Sequence, residues 1–249
     1  MNIASSLKKP LRRVKKLLRY GKLIDYLKGD RRFLLSSASI ENLFPGINDS
    51  SLQLPASQVL SGDSMVLSLA GQLTLAAVCR RLSPNKIFEM GTYRGTSTLI
   101  MAMNISAQAK IFTLDIAPEA RATHQHGTGV GGFSDYMAGD FFLKTPFAPK
   151  ITQLFGDSRT FNFSSYYGTV DLVFVDADHT YKFVKSDSEH AFKLIRPGGV
   201  IIWDDYIWMA DHAECSGVAD YLHQKLSEKK IYRIQGTRLA VYIDAGKNT

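Results

Sequence analysis

Apolar stretches of five residues alternate with longer amphipathic stretches through most of the chain beyond residue 63. The short stretches are rich in β-branched and aromatic side chains and predict strands, whereas the longer ones have helical spacing. Strands are predicted at 86–90, 111–115, 151–155, 172–176, 200–204, 231–235 and 239–243. Helices are predicted at 65–81, 96–106, 181–195 and 215–226. Apolar strands separated by helices are typical of a parallel sheet covered on both faces.

The last two predicted strands are separated by only Gly236, Thr237 and Arg238. A connection this short cannot cross over a sheet, so it predicts an antiparallel hairpin. The predicted fold class is therefore α/β: a doubly wound, mostly parallel, seven-stranded sheet that ends in an antiparallel hairpin.

The first 62 residues differ from the rest, and we predict a basic N-terminal arm with covering loops at 1–62 before a main domain at 63–249. Residues 1–35 contain eleven Lys and Arg and two Asp, a charge of +9, so the remainder carries −2 of the total of +7. Apolar residues in this arm recur at three- and four-residue steps, which predicts an amphipathic helix. Residues 36–62 are rich in Ser, Pro, Asn and Gly and predict loops that cover a site.

Three interpretations of the basic arm stay open. It packs on the body or on a second copy in a homodimer; it contacts an anionic membrane or an acidic partner; or it is a transit peptide. The nearly neutral body argues against a nucleic-acid partner. Cys79 and Cys215 give no disulfide framework, and no run of about 18 apolar residues predicts a membrane span. We therefore expect a cytoplasmic protein, peripheral to the membrane if the arm binds lipid.

Polar groups follow each of the first five predicted strands, at the edge where doubly wound sheets bind ligands. The first strand leads through Gly91 and Gly95 into a helix N-terminus, which is a cradle for an anionic ligand group. The acids near the strand ends are Glu89, Asp115, Asp157, Asp176, Asp178, Asp204 and Asp205. Five strands that all end in acids predict a functional site at this edge.

Three of these acids, Asp176, Asp204 and Asp205, would repel one another if they converged. A hard dication such as Mg²⁺ would remove that conflict and would lower the pKa of a bound hydroxyl. Asp178 lies two residues after Asp176, so one can bind a cation while the other accepts the hydroxyl proton. His179 is a rival base, and the alternative that Asp204 and Asp205 only cap the next element stays open.

These motifs together resemble the class I S-adenosylmethionine-dependent methyltransferases over residues 85–244. The resemblance is carried by Glu89-x-Gly91-x-x-x-Gly95, Asp115, Gly156-Asp157-Ser158, the block 171–179 and Arg196-Pro197-Gly198-Gly199. Within the class, the acids resemble the metal-dependent small-molecule O-methyltransferases of the catechol, caffeoyl-CoA and macrolide-sugar kinds. That resemblance implies a divalent cation on Asp176, Asp204 and Asp205 and a general base at Asp178. The catechol pattern has Asn where this chain has Asp205, so the sugar enzymes are more similar.

The resemblance also implies a site for S-adenosylmethionine at the glycine turn. The predicted donor-binding residues are Glu89, Gly91, Tyr93, Gly95, Ser97, Asp115, Asp157, Ser158 and Asp176. Ser97 and nearby amides are expected to bind the methionine carboxylate, Asp115 the ribose, and Asp157 with Ser158 the adenine. Tyr93 or Trp203 either stacks on the sulfonium or simply packs.

The predicted function is transfer of a methyl group from S-adenosylmethionine to a hydroxyl of a small molecule or sugar, assisted by Mg²⁺. The alternatives are a metal-independent N- or O-methyltransferase and a membrane-associated binding module with a vestigial site. A nicotinamide dehydrogenase is disfavoured because the middle glycine of the G-x-G-x-x-G motif is missing. The glycine-rich stretch after the second strand is interpreted as a lid or substrate loop, and His124 and His126 within it as solvated side chains.

Overall fold

The structure is a computed structural model that describes residues 35–49, 51–55, 67–121, 136–206 and 216–246. Most of the predicted arm, the predicted domain boundary at residue 62, the histidine pair 124 and 126, and Cys215 lie outside these ranges. In the described part of the chain, every helix is too short or too polar to cross a membrane.

Eight strands and six α-helices make up the described fold. The strands are β1 (Ser36–Ala38), β2 (Lys86–Met90), β3 (Lys110–Asp115), β4 (Ile151–Phe155), β5 (Val170–Val175), β6 (Ile195–Trp203), β7 (Ile231–Ile234) and β8 (Ala240–Ile243). The helices are α1 (Ile40–Leu43), α2 (Leu69–Leu82), α3 (Thr96–Met103), α4 (Pro118–Arg121), α5 (Tyr181–Leu194) and α6 (Gly217–Lys225). Short 3₁₀ turns lie at Ile47–Asp49, Ala148–Lys150 and Ser164–Tyr166.

The strands form one sheet in the order β1-β7-β8-β6-β5-β2-β3-β4. Every neighbouring pair is parallel except β8 with β6 and β8 with β7, so the doubly wound sheet with an antiparallel hairpin is confirmed. The sheet has eight strands where seven were predicted. The additional strand, β1, pairs in parallel with the edge strand β7. Its sequence, Ser-Ser-Ala, has no apolar alternation from which a strand could be predicted.

Two apolar cores cover the two faces of the sheet, because successive strand residues point to opposite sides. On β5, Val173 and Val175 face the core formed with α5 and α6, whereas Leu172 and Phe174 face the core formed with α2 and α3. Both faces of the central strands are therefore buried, as their near-continuous apolar sequences require.

The strand order reverses between β2 and β5, which are neighbours in the sheet but are separated along the chain by β3 and β4. Connections from these two strands leave in opposite directions, and this opens a crevice at their carboxyl ends. The glycine turn follows β2 at this point and the Asp176 segment follows β5. The fold thus brings the two predicted halves of the site to one edge.

Candidate functional site

Gly91 and the segment after β5 are packed backbone against backbone. The Asp176 amide donates to the Met90 carbonyl at 2.8 Å, and the Gly91 amide donates to the Leu114 carbonyl at 2.9 Å. Gly91 has a φ of +95°. A Cβ here would lie 2.9 Å from Cα of Ala177 and closer still to the Asp176 carbonyl. Only glycine meets both requirements, the positive φ and the close approach.

Glu89 lies fully buried behind this turn. Its carboxylate accepts hydrogen bonds from the Ser97 hydroxyl at 2.6 Å, the Thr113 hydroxyl at 2.6 Å and the Thr98 hydroxyl. Burial raises the pKa of Glu89 to about 7, against the lowering effect of these donors. Glu89 therefore ties β2, β3 and the first turn of α3 together from the inside. The Ser97 hydroxyl, which was predicted to bind the methionine carboxylate of S-adenosylmethionine, donates its hydrogen bond to Glu89.

The Asp115 carboxylate is hydrogen-bonded to the backbone of the glycine turn. Its Oδ2 accepts a 2.8 Å hydrogen bond from the Tyr93 amide, and its Oδ1 accepts one of 2.7 Å from the Ile116 amide. The Tyr136 hydroxyl points at the same carboxylate from 3.4 Å, and the Tyr136 ring packs on the Tyr93 ring with centroids 4.6 Å apart. Asp115 therefore faces the turn at the crevice, where a ribose-binding acid would be needed.

Residues 136–143 support the turn from outside. The Gly139 amide donates to the Tyr93 carbonyl at 3.0 Å, and Arg94 pairs with Asp140 through contacts of 2.6 to 3.2 Å. A Cβ on Gly95 would lie 2.5 Å from the Phe142 ring. Residues 136–143 therefore act as a packed support. The stretch interpreted as a lid, residues 117–132, is described only as far as Arg121, and the rest of it lies outside the described ranges.

Asp157 is paired with its neighbour Arg159 at the end of β4. The guanidinium forms a fork on the carboxylate, with N–O distances of 3.0, 3.1 and 2.5 Å, and lies 4.2 Å from the centre of the Phe183 ring. The Arg159 amide also donates to Asp157 at 2.9 Å. Asp157 and Ser158 lie in the loop expected to meet the adenine, and Arg159 is a residue there that sequence reasoning missed.

Asp187 is a second buried acid near this loop that the sequence did not single out. It lies on the sheet-facing side of α5, and burial raises its pKa to about 7. Charges on Asp178 and Asp157 add to this rise, and Arg159 opposes it. The helical spacing of Val184, Asp187, Ser188 and Ala191 places Asp187 on the apolar face of α5, which was the available indication that it is buried.

The three acids predicted to bind a cation converge after β5 and β6. Val175 is paired with Trp203, and the Asp204 amide donates to the Val175 carbonyl at 3.1 Å, so Asp176 and Asp204 end adjacent strands. Asp205 has a φ of +52°, a left-handed conformation uncommon outside glycine but tolerated by Asp. The Asp205 side chain shares His179 with Asp176 and Arg238 with Asp204, so the three acids lie together.

Two basic side chains lie among these acids. Nε2 of His179 is 3.0 Å from Asp205 Oδ2 and 3.7 Å from Asp176 Oδ1. Nη2 of Arg238 is 3.4 Å from Asp204 Oδ2, and its Nη1 is 3.2 Å from Asp205 Oδ1. We refer to Asp176, His179, Asp204, Asp205 and Arg238 as the acid cluster. Sequence reasoning missed Arg238, which is 34 residues from Asp204.

Burial and neighbouring charges shift the pKa values within the acid cluster in different directions. Burial raises the pKa of Asp176 and raises that of Asp204 well above its usual value. The pKa of Asp205 is lowered because His179 and Arg238 outweigh its burial. Burial lowers the pKa of His179, but Asp176 and Asp205 together raise it well above its ordinary range. The raised pKa of His179 favours the imidazolium cation over the free base.

Asp178 lies just before the start of α5. Its Oδ1 accepts a 2.7 Å hydrogen bond from the Thr180 amide just before the helix begins. Trp203, considered for cofactor stacking, is fully buried and donates its indole N–H to Ser188 at 2.9 Å, so it packs in the core.

The donor set of the acid cluster suits a hard dication. Within the described residues, Asp204 Oδ1 and Asp205 Oδ1 are buried and accept no hydrogen bond. Carboxylate oxygens are ligands that Mg²⁺ prefers. In the described ranges no three His, Cys, Asp or Glu side chains already have a metal-ligating arrangement. Arg238 and His179 contact carboxylate oxygens that a cation would use, so a dication would compete with these two basic groups for the three acids.

Residues 88–206 match the family described as "Methyltransferase domain". A caffeoyl-CoA O-methyltransferase of Stellaria longipes is 31% identical over 140 residues, 56% of this chain and 53% of that protein. Catechol O-methyltransferase B of Danio rerio is 27% identical over 148 residues, 59% of this chain and 50% of that protein. The chain spans about half the length of the curated relatives it matches.

Solved structures share the fold. An O-methyltransferase of tomaymycin synthesis from Streptomyces achromogenes, in complex with SAM, superposes with a TM-score of 0.53 at 16% identity, over 82% of this chain and 96% of that one. An O-methyltransferase from Bacillus cereus in complex with SAH gives 0.52 at 18% identity, over 82% of this chain and 100% of that one. The predicted methyltransferase fold is thereby confirmed. The resemblance that the motifs carried is confirmed by the matching family and the curated relatives.

Proposed function

Because residues 88–206 match the methyltransferase domain family, we propose that this chain transfers a methyl group from S-adenosylmethionine to a hydroxyl of a small molecule or saccharide, assisted by a divalent cation. The observation that carries the proposal is the convergence of two features at one sheet edge. The Asp115 carboxylate contacts the glycine turn, and Asp176, Asp204 and Asp205 lie together beside it.

The donor half of the site would hold S-adenosylmethionine along the carboxyl ends of β2, β3 and β4. We assign the ribose hydroxyls to Asp115, the adenine to the loop of Asp157 and Ser158, and the methionine carboxylate to the first-turn amides of α3. The Asp115 carboxylate would accept charge-assisted hydrogen bonds from the two ribose hydroxyls. Helix N-terminal amides attract an anion without a side-chain hydroxyl, so the engagement of Ser97 with Glu89 is compatible with this assignment.

The acceptor half would be formed by the acid cluster. A bound divalent cation would lower the pKa of the acceptor hydroxyl and fix its oxygen in place. Asp176, Asp204 and Asp205 would hold that cation. The sulfonium donor is already activated, so the chain's remaining task is to align the acceptor oxygen with the methyl carbon and sulfur and to exclude water.

Asp178 is our candidate for the residue that takes the acceptor proton. His179 is held between two carboxylates that raise its pKa, which leaves an imidazolium unable to accept a proton. We therefore assign His179 to charge balance and retain Asp178 as the general base. Asp176, also predicted to take part in catalysis, would act through the cation.

A metal-independent methyltransferase is the second candidate, and one observation favours it. Arg238 and His179 already bring two positive groups to three carboxylates, so the acid cluster is close to charge balance without a dication. In that case the same residues would hold the acceptor hydroxyl, and chelators would leave turnover unchanged.

Calorimetry with S-adenosylmethionine and with NAD tests the donor assignment, and turnover with and without EDTA tests the cation. We expect binding of S-adenosylmethionine only, and loss of turnover in EDTA that added Mg²⁺ restores. Asp176→Ala should lose the cation-dependent turnover and keep donor binding. Full activity of that variant would contradict the metal assignment, and binding of NAD alone would contradict the whole proposal.

The acceptor is proposed as a small hydroxylated molecule, in line with the names of the caffeoyl-CoA and catechol relatives. A homodimer and a membrane contact through residues 1–35 stay predictions from the sequence.

A further inference from the structure

We propose that Arg238 is a displaceable counter-ion of the acid cluster, which a divalent cation must move aside in order to bind. The proposal rests on the metal-assisted function proposed above. It adds that this chain weakens its own cation affinity through one arginine supplied by the loop between β7 and β8.

The geometry of Arg238 differs from that of the other arginines paired with Asp near the site. Arg94 and Arg159 each form a fork on a single carboxylate, with shortest N–O distances of 2.6 and 2.5 Å. Arg238 instead places one nitrogen 3.4 Å from Asp204 and another 3.2 Å from Asp205. Two-pronged, short contacts are the strong form of an arginine–carboxylate pair. The guanidinium of Arg238 is therefore bound less tightly by its acids than those of Arg94 and Arg159 are.

Several polar atoms around Arg238 are left without hydrogen bonds. Among the described residues, Asp204 Oδ1 and the Nε of Arg238 itself are buried and form none. Asp205 Oδ1 is also buried and forms none, although Nη1 of Arg238 lies 3.2 Å from it. A buried polar atom without a partner is costly, and a permanent ion pair would be expected to satisfy it. A dication that bound these oxygens would satisfy both carboxylates. The unsatisfied atoms thus point to a cation other than the guanidinium.

The position of Arg238 allows it to move. Its backbone is fixed, because its carbonyl accepts a 2.8 Å hydrogen bond from the Tyr206 amide. Its side chain is 37% exposed, whereas that of Asp204 is 4% exposed. The guanidinium can therefore turn into water on the open side of the acid cluster without leaving a buried charge of its own.

Electrostatics gives the direction of the effect. Arg238 neutralises carboxylates that a cation would use, and it would repel any dication bound beside it. Removing its charge should strengthen cation binding, even though it also removes an ion pair from the folded protein. A residue that merely stabilises the acid cluster would have the opposite effect, because its loss would disorder the ligands.

Titration of the full-length protein with Mn²⁺, followed by calorimetry and by the EPR signal of the free ion, tests this proposal. We expect Arg238→Gln to bind Mn²⁺ roughly tenfold or more tightly than the wild-type chain. Arg196→Gln is the matched control, since Arg196 pairs with Asp171 at the opposite end of β6. This control should leave the Mn²⁺ affinity unchanged. Asp176→Asn in the Arg238→Gln background should abolish the binding, which would identify the site.

Equal or weaker Mn²⁺ binding by Arg238→Gln would overturn the proposal, as would no binding by either protein. Calorimetry with S-adenosylmethionine on the same samples separates this outcome from failure of the proposed function. Donor binding that persists would leave the methyltransferase assignment in place and remove only the role of Arg238. Loss of donor binding in the wild-type chain would contradict the proposed function itself.

Discussion

The Tyr93 amide donates a 2.8 Å hydrogen bond to Oδ2 of Asp115. This bond joins the turn after β2 to the acid that ends β3, so the position of the acid and the shape of the turn depend on each other. Tyr93 takes a left-handed φ of +48° at this point. The hydrogen bond compensates part of the cost of that conformation, which is about 1 to 2 kcal/mol for a residue other than glycine.

Asp115→Asn should weaken the binding of S-adenosylmethionine. The amide oxygen of Asn can still accept from Tyr93, but the second acceptor and the negative charge are lost. Hydrogen bonds to a charged group contribute about 1.5 to 3 kcal/mol, so we expect a loss of about ten- to a hundredfold in affinity. Calorimetry measures this, with Asp244→Asn as a control, because Asp244 lies away from the site beside Gly198. Unchanged affinity in Asp115→Asn would remove Asp115 from the donor site.

Gly91→Ala should destabilise the protein far more than a similar substitution at Gly236. Both glycines have positive φ, +95° and +76°. A Cβ on Gly91 would overlap the backbone after β5, whereas one on Gly236 would meet nothing within 4 Å. We expect Gly236→Ala to cost about 1 to 2 kcal/mol of unfolding free energy and Gly91→Ala to cost about 3 kcal/mol or more. Urea denaturation of the two variants checks this, and equal costs would show that close packing at Gly91 is unimportant.

The free energy of unfolding should fall as the pH rises from about 4.5 to about 7, because Glu89 loses its proton over this range. Its pKa is raised from 4.5 to about 7 in the folded state, so the folded protein holds this proton more tightly than the unfolded chain does. The stabilisation is complete below the unfolded pKa and is lost as the pH passes the folded one. For this fully buried group the loss is about 3 kcal/mol.

Urea denaturation at several pH values checks this dependence. Asp187 has a pKa raised to about 7 by burial and acts in the same direction, so Glu89→Gln should remove only part of the slope. Glu89→Gln combined with Asp187→Asn should remove most of it. A slope unchanged in the double variant would show that other groups cause the pH dependence.

Asp178→Asn should lower kcat more than His179→Gln does. General bases contribute about 10²- to 10⁴-fold, and we expect a loss in this range for Asp178→Asn. For His179→Gln we expect a smaller loss and a changed dependence on Mg²⁺ concentration, because His179 contacts two proposed cation ligands. Steady-state kinetics at saturating donor distinguishes the two variants. A larger loss in His179→Gln would reverse the assignment of the base.

The positions of the predicted site residues followed from local sequence. Parallel strands buried on both faces need continuous apolar stretches, so the strand ends and the acids after them could be located from residues 86 to 204 alone. Because the carboxyl ends of parallel strands share one edge, Asp115, Asp176 and Asp204 had to lie at the same rim. The doubly wound sheet and its final hairpin were therefore determined by the sequence pattern.

The tertiary structure decided which partners these residues meet. Arg238 contacts Asp204 and Asp205 because β8 pairs antiparallel with β6 in the register that sets Ala240 opposite Trp203. The Ser97 hydroxyl turns to Glu89 because the first turn of α3 packs over β2. β1 forms because the edge of β7 offers hydrogen bonds to a segment with no strand pattern of its own. Apolar spacing specifies which residues are buried, but contacts between residues far apart along the chain depend on strand register, and a local pattern does not contain it.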